Sequence, residues 1–295
     1  VAQKSAPARW AAAMVCCGHL LALPRLFVTA TQQVAAANAK NAAVIRCDEQ
    51  AVGTLILFPG SFSPLQVSHL RAASLAKTAV EAQNLKVHSI RLSPVNDGYG
   101  KRGLLPWTDR FLLARMLLES QNLPDVCFDA WEAQQPRFLQ TNQVAKHFAE
   151  VYKHTSEVGK VLMMGGADLF DGMFASHPTP SIPYPWSKES VSKLIMELDG
   201  IVIIQRAGAM QWDPESIRTK LQSKLEGTEA AARLSTFNII VAAGDAGDGS
   251  STRVRHFIAE GPSKEENRAG LVELIGEMAT AEIVRREEYF RARLG

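Results

Sequence analysis

Excess charge, metal-type cysteine spacing, an uninterrupted membrane-length apolar run and internal repeats are all missing from this chain. Its 295 residues carry 32 Lys and Arg against 30 Asp and Glu, a net charge of +2. Such a balance argues against broad nucleic-acid binding by field alone, although a local basic groove can still hold a triphosphate. The four cysteines, Cys16, Cys17, Cys47 and Cys127, show no zinc-type spacing and no secreted disulfide framework. A reducing compartment is the simpler reading, and the cytoplasm is the expected location. The most apolar early stretch, Trp10 to Val28, is broken by His19, Pro24 and Arg25, which excludes a clean membrane span.

The first 47 residues also lack acid. Lys4, Arg9, Arg25, Lys40 and Arg46 occur before the first carboxylate, Asp48. Arginine without acid is the pattern of a transit peptide. A disordered tail, a targeting segment and a misassigned upstream stretch all stay open here, and a targeting role would move the location to the nucleus or the mitochondrion. Residues 1–50 are therefore read as an N-terminal extension, and residues 51–295 as the functional domain.

From Val52 onward, short apolar runs alternate with longer stretches of helical spacing. The runs are Val52–Phe58, Val87–Leu92, Val126–Phe128, Val161–Met164, Ile201–Ile204 and Phe237–Ala242. Between them lie segments such as Leu112, Leu113, Met116 and Leu117, spaced for one helix face. Buried strands alternating with helices predict an α/β fold with a doubly wound parallel sheet. Ligands of such sheets sit beyond the carboxyl ends of the strands. The Pro-rich Pro178–Trp186 and the Gly-containing Ala243–Gly249 read as insertions.

Two segments follow strands and carry phosphate chemistry. Gly60-Ser-Phe-Ser-Pro-Leu-Gln-Val-Ser-His69-Leu-Arg71 joins a strand to a helix, where turn amides and the positive helix end converge and His69 adds a proton-bearing donor. Ser250-Ser-Thr-Arg-Val-Arg255 sets hydroxyls at another helix start, and Arg255 returns to the face of Thr252 one turn later. Taken singly, each also fits an ordinary capped surface helix.

Together the two segments resemble the signatures of the nucleotidylyltransferase superfamily. Ser93–Lys101, Trp131-Glu132 with Gln135 and Thr141, Gly165-Gly-Ala-Asp168 and Ile204–Gly208 resemble, in order, the blocks of the eukaryotic nicotinamide/nicotinate mononucleotide adenylyltransferases. The resemblance covers roughly residues 53 to 260. It implies a Rossmann-like sheet and transfer of an adenylyl group from ATP to a mononucleotide, with Mg²⁺ carried by the triphosphate and no protein metal site. The implied partners are ATP, nicotinamide mononucleotide and nicotinate mononucleotide, with neither nucleic acid nor membrane; a homo-oligomer is expected.

Carried onto this chain, the resemblance makes His69 and Arg255 the catalytic pair. It assigns Gly60, Ser61, Phe62, Gln66, Lys101, Ser250, Ser251 and Thr252 to ATP and its phosphates, with Asn96 and Asp97 shaping the loop before Lys101. Trp131 and Trp186 would stack on the pyridine ring, with Glu132, Gly166, Asp168 and Arg206 completing the mononucleotide site. The chain departs from the family at Gln66, where His or Thr is usual, and at Ser68. A different phosphate acceptor is the first alternative; a nucleotide-binding scaffold or chaperone without turnover is the second, favoured only by Gln66.

Overall fold

Leu55, Ile56 and Leu57 are consecutive in sequence and all wholly buried, which only a strand covered on both faces permits. The computed structural model describes residues 44–45, 53–153, 155, 157–175, 177–180, 182, 185–205, 212–247 and 249–294. Its strands are β1 (Val44–Ile45), β2 (Gly53–Gly60), β3 (Val87–Pro94), β4 (Val126–Asp129), β5 (Val158–Gly166), β6 (Gly200–Ile204) and β7 (Asn238–Ala242). They form one sheet in the order β1-β4-β3-β2-β5-β6-β7. Every pairing from β2 to β7 is parallel.

The helices are α1 (Val67–Glu81), α2 (Trp107–Ser120), α3 (Thr141–Tyr152), α4 (Ala167–Phe174), α5 (Lys188–Glu197), α6 (Pro214–Leu225) and α7 (Glu229–Arg233), followed by α8 (Ser251–Glu260), α9 (Glu265–Ile275), α10 (Glu277–Arg285) and α11 (Glu287–Leu294). Alternation along β2 divides the core. Leu55 and Leu57 pack under α3, α5 and α6 with Phe148, Leu194 and Leu221, whereas Ile56 and Phe58 pack under α1 and α2 with Leu70, Ala73 and Leu117. Each such fully buried side chain is worth about 1.5–3 kcal/mol relative to exposure.

All six predicted strands are present, so the doubly wound parallel sheet holds. β1 is an addition: Val44 and Ile45 pair antiparallel with Asp129 and Phe128, although both fall in the stretch assigned to the extension. Cys127, wholly buried on β4, is disulfide-bonded, so the reading of reduced thiols does not extend to it. Among the described residues no helix is long and apolar enough to cross a membrane.

The chain runs outward through β2, β3 and β4, then returns to β5 and continues through β6 and β7 on the other side. β2 and β5 are thus the neighbours at which the winding reverses, and such a crevice is where ligands of open α/β sheets bind. A third cluster, built on Leu105, Val254, Ile258, Leu271 and Phe290, packs the C-terminal helices on α2 and α8. Asp109 on α2 accepts hydrogen bonds from Arg286 and from the Tyr289 hydroxyl, which ties α10 and α11 to that helix.

Candidate active site

The turn after β2 is shaped to present His69. Phe62 takes a positive φ of 40°, a conformation uncommon for a bulky residue, and its ring folds back over Gly60, where a Cβ would lie 2.8 Å from it. The buried ring meets His69 edge-on, with centroids 5.2 Å apart at 81°. Gln66 caps α1, and its backbone N–H donates to His69 Nδ1 at 3.1 Å. A nitrogen that accepts this bond carries no proton, so the neutral ring bears its hydrogen on Nε2. His69 lines the crevice with the orientation of its ring set by this bond. Phe62, expected among the phosphate residues, has its ring in the core and acts on the site through His69.

The second segment arrives at the same place. Ser250 caps α8, accepting from the Thr252 N–H at 3.2 Å. Arg255, one turn on, donates from Nη2 to Thr252 Oγ1 at 3.2 Å, while its buried Nη1 has no hydrogen-bond partner among the described residues. The Arg255 stem lies across Gly103, where a Cβ would come within 2.8 Å of Arg255 Cδ. Lys101 donates to Ser61 Oγ at 3.2 Å; burial pushes its ammonium below the usual range, nearby Arg255 adds to this and Asp168 opposes it. Gln66 Nε2 donates to Ser251 Oγ at 3.2 Å, joining segments 185 residues apart. Neither α1 nor α8 has an acidic residue in its first turn, so two positive helix ends point to one region without internal neutralisation.

The crevice has a volume of about 440 Å³ and is lined by Gly60, Phe62, His69, Gly166, Asp168 and Ser250, with Asp245 and Gly247 of the loop after β7. Gly166 precedes α4, and a Cβ there would lie 2.5 Å from Asp168 Oδ1, so the Asp168 carboxylate would have to swing aside. Among the described residues no group of three or more His, Cys, Asp or Glu is set to hold a metal ion.

Of the mononucleotide candidates, Gly166 and Asp168 line this crevice, whereas Trp131, Trp186 and Glu132 are not among its lining residues. Trp131 follows β4, its backbone N–H donating to Asp129 Oδ1 at 3.0 Å, and its ring stacks on His147 at 3.4 Å with planes 3° apart. Burial pushes the His147 imidazole down to about 4, so it is neutral near pH 7. Trp186 packs near Gly172, whose carbonyl accepts its backbone N–H at 2.8 Å, and both indoles border the core cluster beneath α3 and α5. Glu132 is only 4% exposed and accepts from Ser93 Oγ at 2.5 Å. Burial drives its carboxyl up to about 7, against the pull of Ser93 and Arg110. Arg206 lies outside the described residues.

Arg110 was not singled out by the sequence, yet it organises the loops. Wholly buried, it donates to the carbonyls of Leu105 at 2.9 Å, Ser61 at 2.9 Å and Val95 at 2.7 Å, and to Asp97 Oδ1 at 2.7 Å. Asp97 also accepts the Trp107 N–H at 3.2 Å, and Asn96 donates to the Ala133 and Gln135 carbonyls. The loop carrying Lys101 is therefore fastened at both ends to the turn carrying Ser61.

No family model matches the chain. It is 28% identical over 227 residues to a nicotinamide/nicotinic acid mononucleotide adenylyltransferase of Schizosaccharomyces pombe, covering 73% of this chain and 56% of that protein. It is 31% identical over 164 residues to the Arabidopsis thaliana protein of the same name, covering 54% of this chain and 65% of that one. The chain thus spans less than two thirds of the length of these curated relatives. In fold it is similar to a Plasmodium falciparum nicotinic acid mononucleotide adenylyltransferase complexed with NaAD, at TM-score 0.55 and 18% identity, over 80% of this chain and 97% of that chain. The resemblance carried by the motifs is therefore shared with curated relatives along the sequence and with a solved structure in the fold.

Proposed function

We propose that this chain is an adenylyltransferase that joins ATP to nicotinamide or nicotinate mononucleotide, forming the dinucleotide and pyrophosphate. The observation that carries this reading is the convergence of two helix starts, one bearing His69 and the other Ser250 to Arg255, beside the crevice where the sheet reverses its winding. The names of the sequence relatives supply the substrate class.

In the reaction, a phosphate oxygen of the mononucleotide attacks the α-phosphorus of ATP, and the bond to the bridging oxygen of the β-phosphate breaks, leaving its electron pair on pyrophosphate. No protein nucleophile is required, so positioning and charge stabilisation supply the rate. His69 donates from Nε2 to an α-phosphate oxygen as charge accumulates. Arg255 has a buried donor without a partner among the described residues, and a buried donor left unmade costs about 1–3 kcal/mol; a β- or γ-phosphate oxygen would satisfy it. Lys101, Ser250, Ser251 and Thr252 hold the remaining oxygens, and the helix ends add their partial charge. Trp131 and Trp186 receive the pyridine ring.

Mg²⁺ fits as an ion delivered by the triphosphate. The crevice is lined by the carboxylates of Asp168 and Asp245, a sparse oxygen set suited to an ion that keeps its water and phosphate ligands. Bound there, it would neutralise phosphate charge.

The deciding experiment follows pyrophosphate release from ATP and Mg²⁺ with each mononucleotide in turn. Release with either one supports the proposal. Release only with another phosphate acceptor would move the chain to a sister activity, and ATP binding without any release would favour a scaffold.

A further inference from the structure

We propose that Gln66 is a positioning residue, the clasp that fixes the distance between the two phosphate-binding helix starts, and not itself a phosphate ligand. The inference rests on the adenylyl-transfer reading of the site. Gln66 is 0% exposed. Its neighbours Ser68 and His69 line the crevice, whereas its own amide is engaged at both ends: Oε1 accepts from Ser68 Oγ at 3.3 Å and Nε2 donates to Ser251 Oγ at 3.2 Å. A side chain so enclosed has no surface for a triphosphate in the crevice.

The backbone around the clasp is equally close. A Cβ on Gly249 would stand 1.8 Å from Ser68 Oγ and 2.8 Å from Gln66 Oε1, so the strand of loop leading into α8 rests directly on the start of α1. Gln66 meanwhile holds His69 through its backbone N–H and Ser251 through its side chain. One residue thereby sets both the ring that meets the α-phosphate and the helix that meets the β- and γ-phosphates. An amide suits this task because it accepts and donates at once.

The test is a double-mutant cycle on the full chain with Gln66→Ala, Ser251→Ala and the pair, measuring the Kd for ATP with Mg²⁺ by calorimetry, then KM for both substrates, kcat and the melting temperature. Loss of one neutral hydrogen bond is worth about 1 kcal/mol, so Gln66→Ala should weaken ATP binding by roughly three- to tenfold. It should also lower kcat while the mononucleotide KM stays put. Because the clasp is one contact, the double variant should be no weaker than the worse single one. Gly249→Ala, whose added carbon would meet Ser68 Oγ and Gln66 Oε1, should reproduce the Gln66→Ala effect by prising the helix starts apart.

Multiplying effects in the double variant, or wild-type ATP affinity in Gly249→Ala with an unchanged melting temperature, would overturn the clasp and make Gln66 an independent phosphate donor. Calorimetry reads the coupling even if no mononucleotide supports turnover, so failure of the proposed function and failure of the clasp give different results.

Discussion

Trp131 lies flat on His147, with ring centroids 3.4 Å apart and planes 3° from parallel. One face of the indole is therefore occupied before any substrate arrives, and a pyridine ring can stack only on the other. Trp131→Ala should raise the KM for the mononucleotide several-fold, since a stacked aromatic pair is worth about 0.5–1.5 kcal/mol beyond burial. The KM for ATP should stay near wild type. An equal rise for both substrates would make Trp131 a core residue and nothing more.

His147 gives the fold a sensitivity to acid. Its folded value near 4 lies below the ordinary 6.5, because burial, partly opposed by Glu150, disfavours the imidazolium. As pH falls between those values, the unfolded chain takes up a proton that the folded chain refuses, so stability declines. His147→Phe keeps a ring against Trp131 and removes the titration. Its melting temperature should fall less between pH 7 and pH 5 than that of the wild type; parallel falls would show that the ring titrates freely.

His69→Ala should lower kcat by about 10²–10³, roughly 3–4 kcal/mol, as expected for removing a preorganised donor to a developing charge. The melting temperature should move by no more than the loss of a capping bond allows, about 1 kcal/mol, since His69 accepts the Gln66 N–H at the helix start. Turnover and a melting curve measured together decide it, and unchanged kcat at unchanged stability would refute the phosphate-site reading of this turn.

Truncation tests the front boundary. A chain beginning at Ala42 keeps β1, whereas one beginning at Gly53 leaves the outer edge of β4 without its antiparallel partner. Bare edges template association between chains. The shorter protein should melt earlier and elute partly as aggregates on size exclusion, with turnover per folded molecule preserved. Equal behaviour of the two chains would make β1 dispensable.

The sheet was legible because its parallel strands are largely buried on both sides and leave short apolar runs, although β3 carries buried His88, Ser89 and Arg91 within its run. Strand ends were not: β2 continues through Pro59 and Gly60, and β5 through Gly165 and Gly166, where the apolar signal stops while the ladder goes on. β1 was invisible, two residues long and paired only through tertiary structure. The two segments proposed for phosphate could be placed at helix starts because their signal is local, with hydroxyls, glycine and His close together in sequence. Arg110 could not, since an arginine between Asp109 and Arg115 on one helix reads as an ordinary charged position and its partners lie 5 to 49 residues away. His147 escaped for the same reason, and the positive φ of Phe62 cannot be seen in its identity.

Three of the four groups that Arg110 grips are main-chain carbonyls, those of Ser61, Val95 and Leu105. Any amino acid supplies a carbonyl, so the side chains at those positions can drift while the grip persists, provided the backbone path is kept. No other side chain offers a rigid fork of donors that could replace the guanidinium. Mutational tolerance around the site should therefore be lopsided, with a scan of every substitution showing a permissive set of loops arranged around one position that accepts no exchange.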